Sequence, residues 1–316
     1  MRATRERAVL LAAFALLALF PLLAGTFYLQ LFAKIMIMAI FAMSLDLLVG
    51  YTGLVSFGHA AFFGIGAYAL FVLSPQYAAA SLYLSLPVAI GAAAVAAAVI
   101  GLLVLRTSGV SFIMVTLAFA QMLFYYVIGS KTLGGSDGGY VYVKPSTTLF
   151  GWTPVSLDHP AGFYYLVLAA LAATYLVLRF VTRSLFGHAL LGIRSNESRM
   201  RALGFATTGY KLAAFVIAGA IAGLAGYLDA AQFGFVSPDL FGWRLSGEVL
   251  MMVILGGMGT LYGSVLGAFA LVLLQDGLTD VTRHWLLPLG LFIILAVLLL
   301  PRGLGGLLRR AEKAHG

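Results

Sequence analysis

The chain contains no cysteine and very few charged residues. Of its 316 residues, 9% are charged and 62% are hydrophobic, whereas a typical soluble domain has about 25% charged residues. So few charges cannot cover a soluble globule of this size with a hydrated surface. The lack of cysteine excludes disulfides, thiolate metal sites and a cysteine nucleophile. A membrane protein with many spans is the class that remains.

Signatures of bound metals and nucleotides are also missing. The five histidines are scattered without ligand spacing, so we expect no metal or other cofactor. The phosphate-binding pattern G-x-x-x-x-G-K-[ST] does not occur, and any ATP must therefore be used by a partner subunit. The formal net charge of +8 fits Lys and Arg gathered on the cytoplasmic side of a membrane. We expect membrane lipids, and no nucleic acid, as a partner of this charge.

Long apolar runs predict the membrane spans, each of which needs about 20 apolar residues in a helix. Eight runs qualify: 8–25, 29–49, 54–73, 83–105, 110–129, 163–181, 209–233 and 285–300. A further apolar stretch, 247–274, is broken by glycines and predicts either two short spans or one re-entrant hairpin. Residues 1–316 are therefore predicted to form a single all-α transmembrane bundle, with about ten spans or eight plus a hairpin.

The first run follows a basic start with Arg2, Arg5 and Arg7. This pattern fits either a cleaved signal peptide or a first spanning helix. The run 8–25 is long enough to span and no clear A-x-A site follows it, which favours a retained helix.

The positions of the basic residues predict the orientation. With the N-terminus inside, the inner segments hold 14 of the 19 Lys and Arg residues. The other five are Lys34, Lys131, Lys144, Arg244 and Arg283. Cytoplasmic loops carry an excess of Lys and Arg, so both termini are predicted to be cytoplasmic.

Two loops stand out in this layout. The outer loop 130–162 is rich in Gly, Pro, Ser and aromatic residues, which favours an ordered loop with turns, either a docking surface or a plain connection. The inner loop 183–208 is basic but has an apolar rhythm, which predicts one or two short amphipathic helices. Such helices need lipid headgroups or a partner protein to cover their apolar face.

The inner loop and the start of the next span also carry a family resemblance. The pattern F-G-x-A-L-x-x-I-R-x-N-E-x-x-x-x-A-L-G-x-x-x-x-x-Y-K-L-x-A-F, residues 186–215, resembles the cytoplasmic loop of LivM-type permeases of branched-chain amino acid ABC importers. The stretches GLVSFGHAAFFGIGAYA at 53–69 and GGMGTLYGSVLGAF at 256–269 resemble two further segments of the same family. Together these matches cover most of residues 40–275.

This resemblance implies a type II ABC-importer-like bundle in a bacterial cytoplasmic membrane, with no catalytic site of its own. It implies ABC ATPase subunits, a second, LivH-like permease chain and a periplasmic or lipid-anchored substrate-binding protein as partners. The implied substrates are Leu, Ile and Val or related small solutes. The implied ATPase-coupling residues are Phe186, Gly187, Arg194, Asn196, Glu197, Ala202, Leu203 and Gly204.

Polar and small residues within the spans are candidates for the translocation path, because buried polar groups at membrane depth often mark one. They are Ser56, Gly58, His59, Thr116, Gln121, Gly256, Gly257 and Gly259. Taken singly, each glycine fits close helix packing, and each polar side chain fits a helix–helix hydrogen bond.

Two other classes of function remain open at this point. The spacing of Ser56 and His59 would suit an intramembrane hydrolase if both lay on one helix, but no further catalytic partner follows. An ion-coupled secondary transporter would need carboxylates near the midplane. The candidate acids Asp46, Asp229, Glu248 and Asp276 all fall toward predicted helix ends, which weakens this alternative.

Overall fold

The computed structural model describes residues 14–22, 25–75, 78–148, 157, 159–300 and 303–306. Residues 14–19 are helical and lead into a 3₁₀ turn. Eleven further α-helices follow in the described part of the chain: α1 (Thr26–Asp46), α2 (Ala60–Leu73), α3 (Leu82–Val104), α4 (Val110–Gly129), α5 (Pro160–Arg183), α6 (Leu185–Ser195), α7 (Glu197–Ala202), α8 (Thr207–Phe233), α9 (Trp243–Gly256), α10 (Leu261–Val281) and α11 (Leu286–Leu299). A π-helical segment, Leu47–Thr52, extends α1.

Helix α1 lies at the centre of the bundle. It contacts α5, α8, α9 and α10, and every residue from Ile35 to Asp46 is buried. The peripheral helices instead expose large apolar side chains, such as Met114 of α4 and Leu298 of α11. Apolar residues both inside and outside are what a lipid-embedded bundle requires, and the predicted all-α membrane fold is confirmed.

Small residues bring α2, α3 and α8 close together. A Cβ added at Gly226 of α8 would overlap the Phe63 carbonyl of α2, and one added at Gly66 would overlap the Gly223 carbonyl. At Gly219 of α8, an added Cβ would meet Ala97 of α3. Without a strong hydrophobic drive in lipid, such close backbone contact is a main source of helix association.

Seven described helices are long and apolar enough to cross a membrane: those that contain α1, α3, α4, α5, α8, α10 and α11. Helix α2 has 14 residues, which at about 1.5 Å per residue gives about 21 Å, less than the hydrocarbon core. The predicted helix 54–73 is therefore wrong at its start. The backbone turns at Gly53, which has a φ of 76°, and residues 53–59 are not helical. Much of the predicted span 8–25 lies outside the described residues.

The predicted stretch 247–274 contains two antiparallel helices of unequal length. Helix α9 has 14 residues and α10 has 21, so that the helical region extends from 243 to 281 around a break at 257–260. One of these helices is short and the other is long enough to span, and the choice between two spans and one re-entrant hairpin stays a prediction. The break itself is where the glycines predicted it, because Gly257 and Gly259 have φ of 110° and 79°.

The outer loop is ordered where the structure describes it. Two 3₁₀ turns, Lys131–Leu133 and Gly135–Asp137, precede β1 (Gly139–Tyr140), which pairs antiparallel with β2 (Phe235–Val236) after α8. The loop borders a cavity of about 530 Å³ lined by Phe71, Val72, Ser74, Pro75, Thr132, Leu133, Gly138, Gly139, Tyr140 and Tyr142. Residues 149–156 and 158 of the predicted loop lie outside the described part.

Candidate coupling site

The inner loop forms two short helices, α6 and α7, as the sequence predicts. The Ser184 Oγ accepts a hydrogen bond from the Gly187 N–H at 3.5 Å and caps α6. The Asn196 Oδ1 accepts from the Arg199 N–H at 2.9 Å and caps α7. Each cap satisfies an N–H that a helix start leaves free. Helix α6 then packs against α5, α8 and the π-helical segment.

Glu197 ties α7 to the start of α8. Its Oε1 accepts hydrogen bonds from the Arg201 guanidinium at 3.1 Å and from the Thr207 hydroxyl at 3.2 Å, and its Oε2 pairs with the Lys211 ammonium. Partial burial acts to raise the pKa of Glu197, but Lys211, Thr207 and Arg201 together outweigh it. The pKa of this carboxyl therefore lies below its ordinary value of 4.5, and the group is ionised at neutral pH.

The inner loop has exposed apolar side chains near both of its ends. Leu185 is 90% exposed, Leu203 is 67% exposed and Phe205 is 37% exposed. Ala202 and Gly204, beside Leu203, are exposed as well. We call Leu185, Ala202, Leu203, Gly204 and Phe205 the exposed apolar face. The capping groups of α6 and α7 already have hydrogen-bond partners within the chain. The exposed apolar side chains are therefore the part of the loop that a binding partner would cover.

Two further predicted coupling residues, Phe186 and Gly187, pack against neighbouring helices. The Phe186 ring stacks on Tyr210 with centroids 5.6 Å apart. Gly187 is buried, and a Cβ added there would overlap the Thr182 carbonyl of α5. Both residues therefore fix α6 to its neighbouring helices.

Arg194 is exposed as a residue, but its guanidinium is bound within the chain. Its guanidinium Nη1 donates a hydrogen bond to the Gly50 carbonyl in the π-helical segment. A Cβ added at Gly53 would lie 3.2 Å from the Arg194 Cγ. The side chain therefore runs along the end of the α1 helix and not over the exposed apolar face.

The glycine-rich break between α9 and α10 meets the same helix end. The Asp46 Oδ1 accepts a hydrogen bond from the Gly259 N–H at 2.7 Å, and a Cβ added at Gly50 would overlap the backbone of Gly259. We call Asp46, Gly50, Arg194, Gly257 and Gly259 the inner joint. Three separate elements, α6, the end of α1 and the 257–260 turn, meet there.

The remaining predicted path residues form a second group, built around the non-helical segment before α2. The Phe57 N–H donates to the Thr116 Oγ1 at 3.3 Å, and a Cβ added at Gly58 would overlap the Thr116 carbonyl. Ser56 accepts from the Gly58 N–H at 3.3 Å. The segment is thus packed tightly on α4.

His59 belongs to this group and is fully buried. Its Nε2 lies 2.9 Å from the Ser44 Oγ of α1, and its neighbour, the Ala60 N–H, donates to the Ser246 Oγ of α9 at 3.0 Å. A Ser56–His59 pair on one helix, as a hydrolase would need, is not formed, because Ser56 precedes the helix. Ser44 and Ser246 escaped the sequence prediction, although each is a polar residue in an apolar run.

The predicted path residues thus separate into two places. Ser56, Gly58, His59 and Thr116 lie together, whereas Gly256, Gly257 and Gly259 lie at or beside the inner joint. Gln121 is half-buried on α4, five residues beyond Thr116, and none of the described hydrogen bonds joins it to either place.

The four candidate acids, Asp46, Asp229, Glu248 and Asp276, lie on four different helices. Asp46 and Asp229 are buried, and the Glu248 Oε1 accepts from the Gln275 Nε2 at 3.0 Å. Among the described residues, no group of three or more His, Asp or Glu side chains could hold a metal ion.

Comparison with known proteins shows which family the chain resembles. Residues 9–300 match the family described as "Branched-chain amino acid transport system / permease component". The chain is 31% identical over 95% of its length to the high-affinity branched-chain amino acid transport system permease protein LivM of Salmonella typhimurium, and 32% identical over the same share to that of Escherichia coli. In both comparisons the match covers 75% of the relative.

A more distant relative is the autoinducer 2 import system permease protein LsrC of Photorhabdus luminescens. It is 29% identical over 52% of this chain and 50% of its own length. No solved structure matches the chain. A permease component is one part of a transport system and works beside separate ATPase and substrate-binding components. The chain belongs to the family of permease components of branched-chain amino acid transport systems, and it is a multi-pass membrane protein of the ABC importer type.

Proposed function

We propose that this chain couples ATP hydrolysis on separate ABC ATPase subunits to import of a small solute, and that the inner loop 183–208 is where the ATPase docks. The exposed apolar face carries this proposal. Leu185 and Leu203 protrude from a loop whose caps and ion pairs are already satisfied within the chain. A partner protein that inserts this face into a groove would remove it from water, as amphipathic helices do in protein complexes.

In this proposal both termini and the inner loop are cytoplasmic in a bacterial membrane, following the positive-inside rule. The outer surface around Tyr140 and Tyr142 receives a periplasmic or lipid-anchored substrate-binding protein. Both tyrosines are exposed beside the outer cavity, and tyrosine is enriched at protein interfaces. A second, LivH-like permease chain completes the membrane domain.

The proposed substrates are Leu, Ile and Val or related small solutes. The names of the LivM relatives support the branched-chain amino acids. The autoinducer 2 permeases in the comparison support a wider range of small solutes for this fold. We assign the choice of substrate mainly to the binding protein.

The test is co-purification of the ATPase subunits encoded beside this permease. We expect Leu203→Asp, alone or with Leu185→Asp, to reduce the recovered ATPase at least about tenfold, because a charge would be buried in the interface. Tyr142→Asp is the matched control, since Tyr142 is 72% exposed on the outer side. Full ATPase recovery and normal ATP-dependent uptake by the double variant would refute the docking proposal.

A further inference from the structure

Arg194 lies on the inner loop 183–208, but its guanidinium binds a carbonyl of the membrane domain. The Gly50 carbonyl that it binds belongs to the last turn of the helix formed by α1 and the π-helical segment. The last carbonyls of a helix have no partner within the helix, and basic side chains near this end satisfy them and complement the helix dipole. Arg194 therefore caps a helix that is not its own.

The capped helix end is also bound to the 257–260 turn. Asp46, four residues before Gly50, accepts the Gly259 N–H. Gly50 and Gly259 are in backbone contact. Displacement of Arg194 would thus act on the end of α1 and on the turn together.

The backbone at this place departs from a regular α-helix. The π-helical hydrogen bonding of Leu47–Thr52 is rare and concentrates at functional sites. Gly53, Gly257 and Gly259 all have positive φ, where glycine costs least. Packed interfaces in general switch between discrete arrangements, and a transmission element needs this property.

We propose that Arg194 is a positioning residue that transmits movement of α6 into the inner joint, and that it does not bind the ATPase. This inference rests on the proposed function, because it needs a motor that moves α6. It assigns two tasks to one loop. The exposed apolar face holds the ATPase, and Arg194 passes the movement to the end of α1 and the 257–260 turn.

The experiment reconstitutes the complete transporter in liposomes and measures substrate transported per ATP hydrolysed. Arg194→Ala is expected to bind the ATPase with parental yield and to hydrolyse ATP, but to lower the transported amount per ATP by roughly tenfold, within the usual range of a coupling between two sites. Arg194→Lys is expected to restore much of the ratio, since an ammonium can also donate to the Gly50 carbonyl. Gly50→Ala, which pushes the helix end away from Gly259, is expected to lower the ratio without a change at Arg194.

Arg199→Ala is the matched control for a lost positive charge. Arg199 is exposed on α7, and the variant keeps its backbone N–H, which donates to the Asn196 cap. Loss of ATPase binding by Arg194→Ala, or an unchanged ratio in both Arg194→Ala and Gly50→Ala, would overturn the inference and leave the proposed function standing. Failure of the parental chain to recover any ATPase would instead remove the proposed function itself.

Discussion

Glu197 is a single residue that fixes the conformation of the inner loop. Its two carboxylate oxygens join α7 to α8 through Arg201, Thr207 and Lys211. The side chain of Glu197 is 32% exposed and that of Lys211 12%, so that solvent screens the pair only in part. The carboxylate links α7 to α8. We expect it to affect ATPase docking indirectly, because it fixes the conformation of the loop.

The lowered pKa of Glu197 sets a window for acid sensitivity. Because the folded-state pKa lies below 4.5, the ion pair stabilises the loop fully above that value and is lost as pH falls through the lower folded-state value. We predict that Glu197→Gln lowers the free energy of unfolding by roughly 0.2–1 kcal/mol at neutral pH. The melting temperatures of parent and variant, compared from pH 8 to pH 3, measure this.

The difference between the two melting temperatures should stay constant down to about pH 5 and shrink only in stronger acid. Lys211→Gln, which removes the same pair from its other side, should show the same pattern. A difference that already disappears between pH 7 and 6 would contradict the prediction.

At this scale the sequence did not predict where the side chains point, and their role in coupling stays a prediction. Phe186, Gly187, Arg194 and Glu197 were grouped as ATPase-coupling residues, and the structure gives all four contacts within the chain. On a helix as short as α6, the direction of each side chain is set by tertiary contacts with α5, α8 and the end of α1. The contact of Arg194 joins residues 144 positions apart in the chain and leaves no local signal.

Among the elements, the α2–α8 pair depends most directly on residue size. Gly226 faces the Phe63 carbonyl with no room for a methyl group. We predict that Gly226→Ala separates the two helices and lowers the free energy of unfolding by roughly 1–3 kcal/mol, as overpacking usually does. Thermal unfolding in detergent, followed by circular dichroism, measures the change.

Gly209→Ala provides the control on the same helix. Nothing lies within 4 Å of an added Cβ at Gly209, and Ala favours a helix over Gly by up to about 1 kcal/mol. This variant should melt at or above the parental temperature. Equal destabilisation by both substitutions would show that glycine flexibility, and not close approach, explains Gly226.

The same scale shows where sequence prediction failed. The apolar run 54–73 gave no sign that residues 53–59 leave the helix, because a hydropathy window registers composition and not backbone hydrogen bonding. The non-helical backbone is satisfied instead by Thr116 and Ser246 on other helices. Irregular backbone is tolerated at membrane depth where such partners exist.

At the scale of the whole molecule, composition was enough for the fold class. Lipid requires apolar side chains outside and internally bonded helices, and both requirements are visible as long uncharged runs. Helix α10 and the extent of the α9–α10 region were less predictable, since polar residues such as Gln275 and Asp276 interrupt the run before the helix ends at Val281. The contact between α6, the end of α1 and the 257–260 turn could not be predicted from the sequence, because it depends on how three distant segments fold together.

The absence of cysteine makes the orientation of the chain in the membrane easy to measure. Each introduced cysteine is the only thiol in the chain, so labelling with a membrane-impermeant maleimide has no background. Ser198 on α7 and Ser136 in the outer loop are both exposed, and they lie on opposite sides in the predicted topology. The excess of Lys and Arg around Ser198 predicts that its side is cytoplasmic.

We therefore predict that Ser198→Cys reacts in inside-out vesicles and is protected in right-side-out vesicles, and that Ser136→Cys behaves in the opposite way. Ala42→Cys, at a fully buried position of α1, should remain unlabelled in both until the protein is denatured, which checks that the reagent reports exposure. Reaction of Ser198→Cys in right-side-out vesicles would place the exposed apolar face outside the cell. An ATPase could not reach it there, because ATP and its hydrolysis are confined to the cytoplasm.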